Sequence, residues 1–154
     1  MVFRGCLQAR AFKTIRRNLR LGRLMRPAYP LMFRSASLRR IAMRDVAVHG
    51  DRLTPGQAVK RAKDSLDCEV PDVANDLSLD DFHIAPLTPL PCPITVAWSG
   101  EDALLPMAEY ASALSERLPE AAFSVLAGVG HEPMLDNPEL VARTILHVTN
   151  AARK

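Results

Sequence analysis

Apolar residues in the first part of the chain recur at the spacing of an α-helix. Between residues 3 and 25, leucine, isoleucine and phenylalanine form an imperfect helical stripe among arginines. Pro27 and Pro30 follow this stripe, and because proline breaks a helix interior, the helix is predicted to end there. A second helix is predicted over residues 37–49, with Gly50 as its C-terminal stop.

A third helix has the clearest start signal. Thr54-Pro55-Gly56-Gln57 combines an N-cap threonine, a proline at the first helical position and a glutamine that can return a hydrogen bond to the cap. Alanine and leucine continue the apolar spacing to residue 66. From residue 67 to 93 the pattern becomes irregular, and its prolines predict an extended connection.

The pattern changes after residue 93. Residues 94–98 and 123–127 are short, nearly continuous apolar runs, which are typical of strands buried in a parallel sheet. A helix is predicted between them at residues 106–118, and another follows from about residue 136 to 151. This order of strand, helix, strand and helix predicts one parallel βαβ unit with an extra helix, and hence an α/β fold class.

Two polar loops follow the predicted strands. The loop after the first strand contains Asp102, and the loop after the second contains His131. Because the carboxyl ends of neighbouring parallel strands meet at one edge of a sheet, we expect these two side chains to lie side by side. A carboxylate that holds an imidazole fixes its tautomer and stabilises its charged form, so the pair predicts acid–base chemistry.

These residues lie in stretches that resemble the α/β-hydrolase family. PLPCPITVAWSGEDALLP is similar to that family's seventh strand and acid loop, and LAGVGHEPMLDNPELVARTI to its eighth strand, histidine loop and last helix. The resemblance implies a partial α/β-hydrolase fold, in which a helical cap region (residues 1–85) precedes the last two parallel strands and their helices (residues 86–154). It implies a small-molecule, ester-like substrate, and no cofactor or metal site is predicted.

The resemblance also implies roles for the two side chains, with Asp102 as the orienting acid and His131 as the general base. In the family a glycine usually follows the aromatic residue that ends the strand, but here Ser99 follows it and Gly100 comes one position later. The spacing from that aromatic residue to the acid still matches, so the acid role falls on Asp102 and not on Glu101.

Two simpler interpretations of these residues stay open. His131 would then be a turn histidine whose ring is satisfied by the backbone. Asp102 would be only a helix N-cap, since a helix is predicted soon after it.

The hydrolase mechanism also needs a nucleophile, commonly on a Gly-x-Ser-x-Gly elbow, and backbone N–H groups for the oxyanion. No serine, cysteine or aspartate in the chain has glycine at both −2 and +2. We therefore expect a truncated hydrolase that keeps the acid and the histidine and is inactive alone. The missing half of the hydrolase fold, which carries the nucleophile, would complete it. Whether the chain is an enzyme by itself stays open at this point.

Charge is distributed unevenly, which suggests an alternative function. Residues 1–66 hold 16 of the 20 basic residues and only 3 of the 17 acidic ones. A non-catalytic binding protein, whose basic helical region contacts anionic partners, is therefore the alternative to a hydrolase. Nucleic acid is not the expected partner, because the region lacks the interleaved aromatic residues of a stacking platform.

Three further expectations concern location and association. The three cysteines are far apart and form no C-x-x-C, so neither a zinc site nor a disulfide framework is predicted, and a reducing, cytoplasmic setting is favoured. No apolar run approaches the roughly 20 residues of a membrane span. Two parallel strands make a poor sheet by themselves, so self-association through an exposed edge at residues 94–98 is expected.

Overall fold

The computed structural model describes residues 3–68 and 85–151 of the chain. The chain divides into two compact units. The first comprises Met1–Ala42 and Asp51–His83, and the second comprises Met43–Gly50 and Ile84–Lys154. The predicted division into a cap region of residues 1–85 and a core part of residues 86–154 stays a prediction. The structure adds that residues 43–50 cluster with the second unit.

Residues 3–68 form helices and no strand, as the sequence predicts. The α-helices are α1 (Phe3–Met25), α2 (Tyr29–Met32), α3 (Ala36–Met43) and α4 (Pro55–Leu66), and two 3-10 turns lie at Arg26–Ala28 and Gly50–Arg52. The Thr54 hydroxyl accepts a hydrogen bond from the Gln57 N–H at 3.3 Å, and the Gln57 side-chain oxygen accepts from the Thr54 N–H at 2.8 Å. The predicted capping box of α4 is therefore present.

The core of the first unit is small and aromatic. Phe33 and Ala58 are fully buried, and the rings of Tyr29 and Phe33 stack with their centroids 5.1 Å apart. The Tyr29 hydroxyl donates to the Gly22 carbonyl at 2.9 Å, which joins α1 to α2. The buried Arg39 guanidinium donates to backbone carbonyls at 2.7 to 3.1 Å, so its charge is matched by peptide dipoles.

The second unit contains the predicted parallel βαβ arrangement. Its elements are β1 (Thr95–Ser99), α5 (Met107–Arg117), β2 (Ala122–Leu126), the single turn α6 (Pro133–Asp136) and α7 (Pro138–Ala151). The strands are parallel, with a register that runs from Thr95 opposite Ala122 to Ser99 opposite Leu126. Asn137 caps α7 by accepting from the Leu140 N–H at 2.9 Å. The loops that follow β1 and β2 therefore leave the sheet at the same edge.

One predicted helix is wrong in its length. The second helix was expected to run to residue 49, but α3 ends at Met43, whose carbonyl accepts from the N–H groups of both Val46 and Ala47 at 2.8 Å. The backbone beyond Met43 bonds to the second unit's own loops instead, since the Val46 carbonyl accepts from the Glu132 N–H at 2.8 Å. These tertiary hydrogen bonds replace the helical ones that the local pattern favoured.

Among the helices of residues 3–68 and 85–151, none combines the length and apolar character needed to cross a membrane.

Candidate active site

The candidate site lies at the carboxyl edge of the two-stranded sheet, where the acid loop (residues 100–106) and the histidine loop (residues 127–132) emerge. Backbone hydrogen bonds join the loops directly. Gly100 donates to the Leu126 carbonyl at 2.8 Å, and Glu101 donates to the Val129 carbonyl at 3.0 Å. The two loops therefore continue the strand pairing for a short distance beyond the sheet, which brings the next residue of the acid loop towards His131.

Asp102 and His131 are in hydrogen-bond contact, as the sequence predicts. The distance from Nδ1 of the imidazole to Oδ2 of the carboxylate is 2.9 Å. The Asp102 side chain is 7% exposed and the His131 side chain 29% exposed. An ionised carboxylate only accepts hydrogen bonds, so a contact with ionised Asp102 requires a proton on Nδ1, and in the neutral ring the free lone pair then lies on Nε2. No residue within the described ranges forms a hydrogen bond to that nitrogen.

The second oxygen of Asp102 fixes the carboxylate itself. Its Oδ1 accepts from the N–H groups of Leu104 at 2.9 Å and Leu105 at 2.8 Å. The Leu105 carbonyl in turn accepts from the indole N–H of Trp98 at 3.1 Å, so the strand's last aromatic residue anchors the loop. The acid is therefore held by its own loop on one side and presents its other oxygen to the imidazole.

A model of the alpha/beta hydrolase family matches residues 1–144 of the chain. The chain belongs to the alpha/beta hydrolase family. No curated protein and no solved structure matches the chain significantly. The family match covers both the helical region and the two loops of the site, and it agrees with the partial α/β fold that the strands and helices form.

Both simpler interpretations of Asp102 and His131 disagree with the geometry. Asp102 does not cap the following helix, because α5 begins at Met107 and its N-cap position is Pro106, without a side-chain bond. The His131 ring is not satisfied by the backbone at Nδ1, because that nitrogen meets a carboxylate. A hydrogen bond between the two side chains is what an orienting acid and a general base require. The assignment of these roles to Asp102 and His131 stays a prediction.

The shifted glycine of the acid loop has a structural reason. A Cβ on Gly100 would lie 3.2 Å from the Leu126 carbonyl oxygen and 3.3 Å from a Val125 methyl, so the close passage of the acid loop over β2 occurs at this residue. Ser99 ends β1 with its side chain buried. Glycine is therefore needed one position later than in the usual family pattern.

Sequence analysis missed the role of Asp136, which is 5% exposed. It was interpreted as part of the start of the last helix, but its carboxylate accepts backbone hydrogen bonds from Val48, His49 and Gly130 instead. No periodicity signals such a role. The only available hint was an acid five residues behind the histidine, directly after the apolar residues 133–135.

Other histidines and cysteines of the chain take no part in the hydrogen bond between His131 and Asp102. His147 is exposed on α7, and His83 falls in residues 69–84, outside the described ranges. Cys68 and Cys92 are exposed free thiols. Within residues 3–68 and 85–151, no cluster of three His, Cys, Asp or Glu side chains is arranged to hold a metal ion.

Proposed function

We propose that Asp102 and His131 are the orienting acid and general base of an α/β-hydrolase that acts on esters or related acyl compounds. The observation that carries this proposal is the 2.9 Å contact between Nδ1 and the carboxylate at the carboxyl edge of two parallel strands. The contact holds the imidazole in the tautomer that leaves Nε2 free to accept a proton. The ring is partly exposed, so that nitrogen can meet a reacting group from outside.

In this mechanism the nucleophile comes from outside residues 1–154, either from a longer form of the same polypeptide or from another chain. No serine, cysteine or aspartate in these residues has glycine at both −2 and +2. Ser99, the serine nearest to Asp102 in sequence, is buried at the end of β1. A hydroxyl placed at Nε2 loses its proton to His131 as it attacks the acyl carbon. The resulting imidazolium is stabilised by Asp102, and it later returns the proton to the leaving group.

The experiment uses the chain with a C-terminal affinity tag, expressed in the cells from which it comes. The cells are treated with a fluorophosphonate probe, which labels activated serines, and the tagged material is isolated. We expect label on a serine outside residues 1–154, and no label on the purified 154-residue chain. His131→Gln and Asp102→Asn should reduce labelling by about 10³- to 10⁴-fold, as in other triads.

Glu101→Gln is the matched control, because Glu101 is an exposed acid in the same loop and only its backbone is used. It should leave labelling unchanged. Absence of any labelled polypeptide would contradict the hydrolase proposal. Stoichiometric labelling of Ser99 in the isolated chain, lost in His131→Gln, would show instead that these residues form a hydrolase by themselves.

We propose, as a second candidate function, that α1 contacts anionic partners. Lys13, Arg17, Arg20 and Leu24 form one stripe along the helix, opposite Ala11 and Gly22, which pack into the first unit. Retention on immobilised DNA, used here only as a polyanionic probe, tests this at increasing salt, since contacts between basic side chains and phosphates weaken steeply with ionic strength. Lys13→Ala with Arg20→Ala should lower the salt needed for release, whereas Arg40→Ala with Arg52→Ala, two other exposed arginines, should not.

A further inference from the structure

We propose that Asp136 is a positioning residue for His131, and that it acts by tying the histidine loop to residues 43–50. This inference rests on the function proposed above for the Asp102–His131 pair. Asp136 ends the single turn α6 and is 5% exposed. Its carboxylate forms no hydrogen bond to the imidazole, whose Nδ1 meets Asp102, and the proton transfers assigned to His131 do not use it.

Three backbone donors converge on the Asp136 carboxylate. Its Oδ2 accepts from the Gly130 N–H at 2.8 Å and from the Val48 N–H at 3.0 Å, and its Oδ1 accepts from the His49 N–H at 2.6 Å. An ionised carboxylate suits this cluster because it offers only acceptors, and hydrogen bonds to an ionised group are stronger than neutral ones. Three amides from two distant parts of the sequence thus share one side chain.

A second contact ties the other side of the histidine to the same segment. The Glu132 N–H donates to the Val46 carbonyl at 2.8 Å. His131 therefore lies between Gly130, held through Asp136, and Glu132, held directly. With its backbone fixed on both sides, the imidazole can keep its 2.9 Å contact with Asp102.

The packing around Gly130 shows how closely the two segments approach. A Cβ on this glycine would lie 3.1 Å from the Ala47 Cα, 3.1 Å from the Val46 carbonyl oxygen and 3.2 Å from the Val48 nitrogen. All three atoms are backbone, so they cannot move aside as a flexible side chain would. The histidine loop and residues 43–50 are therefore in close backbone contact, and the hydrogen bonds of Asp136 link the two segments.

The test measures the tautomer of His131 by ¹⁵N NMR of the ring in the full chain. The spectrum is recorded at a pH high enough for the ring to be neutral. In the unaltered protein we then expect the proton on Nδ1 and none on Nε2. Asp136→Asn keeps the shape of the side chain, but it places an NH₂ group, itself a donor, against a backbone N–H donor. It should give mixed tautomers and speed amide exchange of Gly130 about 10- to 100-fold, the effect of losing a charged hydrogen bond.

Asn137→Ala is the matched control, because it removes the adjacent cap of α7 and leaves the Gly130 contact intact. It should lower stability while leaving the ring spectrum unchanged. If Asp136→Asn and Asn137→Ala change the ring spectrum equally, Asp136 serves stability alone and the inference is wrong.

Two further measurements separate the possible failures. Asp102→Asn must itself change the ring spectrum; if it does not, the pair is not formed in solution and the proposed function fails with it. If Asp102→Asn changes the spectrum and Asp136→Asn does not, only the positioning role fails. Should Asp136→Asn not fold, amide exchange in the unaltered chain decides the matter: Gly130, Val48 and His49 should open with one common free energy, and independent opening would overturn the inference.

Discussion

Several side chains in this chain combine full or partial burial with specific polar contacts. Asp102 accepts from its own loop and from His131, Trp98 donates its indole N–H to the acid loop, and Tyr29 donates to a helix carbonyl. In each case the side chain is at least partly withdrawn from water, where a lost partner costs more than at the surface. For Tyr29, the contribution of the buried side chain to stability can be measured as a function of pH.

Burial raises the pKa of Tyr29 above the ordinary tyrosine value of 10.0, and the nearby Arg26 opposes part of that rise. A raised pKa means that the folded chain holds the phenolic proton more tightly than the unfolded chain does. This group's contribution to stability is therefore fully present below about pH 10, and it falls as the pH rises from there through the folded-state pKa.

Tyr29→Phe should accordingly lower the free energy of unfolding by about 0.5–1.5 kcal/mol at pH 7, through the lost bond to the Gly22 carbonyl. Above pH 10 the difference between the two proteins should shrink, because only the tyrosine can ionise. Urea denaturation at pH 7 and at pH 10.5 measures both values. A difference that is independent of pH would show that the phenol is not buried in solution.

At the scale of elements, two helical glycines differ in what surrounds them. A Cβ on Gly22 in α1 would lie 2.8 Å from the Tyr29 hydroxyl and 3.0 Å from a Leu66 methyl, whereas a Cβ on Gly56 in α4 would meet nothing within 4 Å. Gly22 is therefore a point at which α1 approaches its neighbours closely. Gly56 lies at an exposed helix start, where glycine only adds freedom to the unfolded chain.

The same substitution should consequently act in opposite directions at the two positions. Gly56→Ala should stabilise the chain by about 0.4–1 kcal/mol, since alanine restricts the unfolded state at no steric cost. Gly22→Ala should destabilise it by about 1–3 kcal/mol, since the methyl group overpacks the contact between helices. Thermal melts monitored by circular dichroism compare the pair, and stabilisation by both would contradict the packing of α1.

At the scale of the whole molecule, the second unit leaves much of its apolar surface in water. Val125 on β2 is 53% exposed, and Ile145 and Leu146 on α7 are 56% and 58% exposed. An open cavity of about 840 Å³ lies between β2 and α7. Among the described residues, β1 pairs with β2 and with no other strand. Such surfaces favour association.

We therefore predict concentration-dependent self-association in sedimentation velocity. Val125→Thr combined with Leu146→Gln should shift the chain towards monomer, because it removes exposed apolar side chains from β2 and α7. Leu87→Gln is the control, since Leu87 is similarly exposed but lies outside those elements. A monomer with a cooperative thermal transition at all concentrations would show that the second unit is stable without further cover.

The sequence by itself determined those features that depend on neighbours along the chain. The capping box at Thr54 and Gln57, the break after Met25 and the alternation of strands with helices are local, so pattern and turn chemistry suffice to predict them. Asp102 and His131 were found because parallel strands bring their following loops to one edge, and because those loops resemble a known family.

Only the tertiary structure decided features that join distant segments. Asp136 was assigned to a helix start until Gly130, Val48 and His49 were seen to donate to it, and α3 ends at Met43 because the backbone beyond it bonds to the histidine loop. Local periodicity describes what a segment prefers alone. It carries no information about hydrogen-bond partners that lie more than eighty residues away, and such partners hold the histidine loop in place.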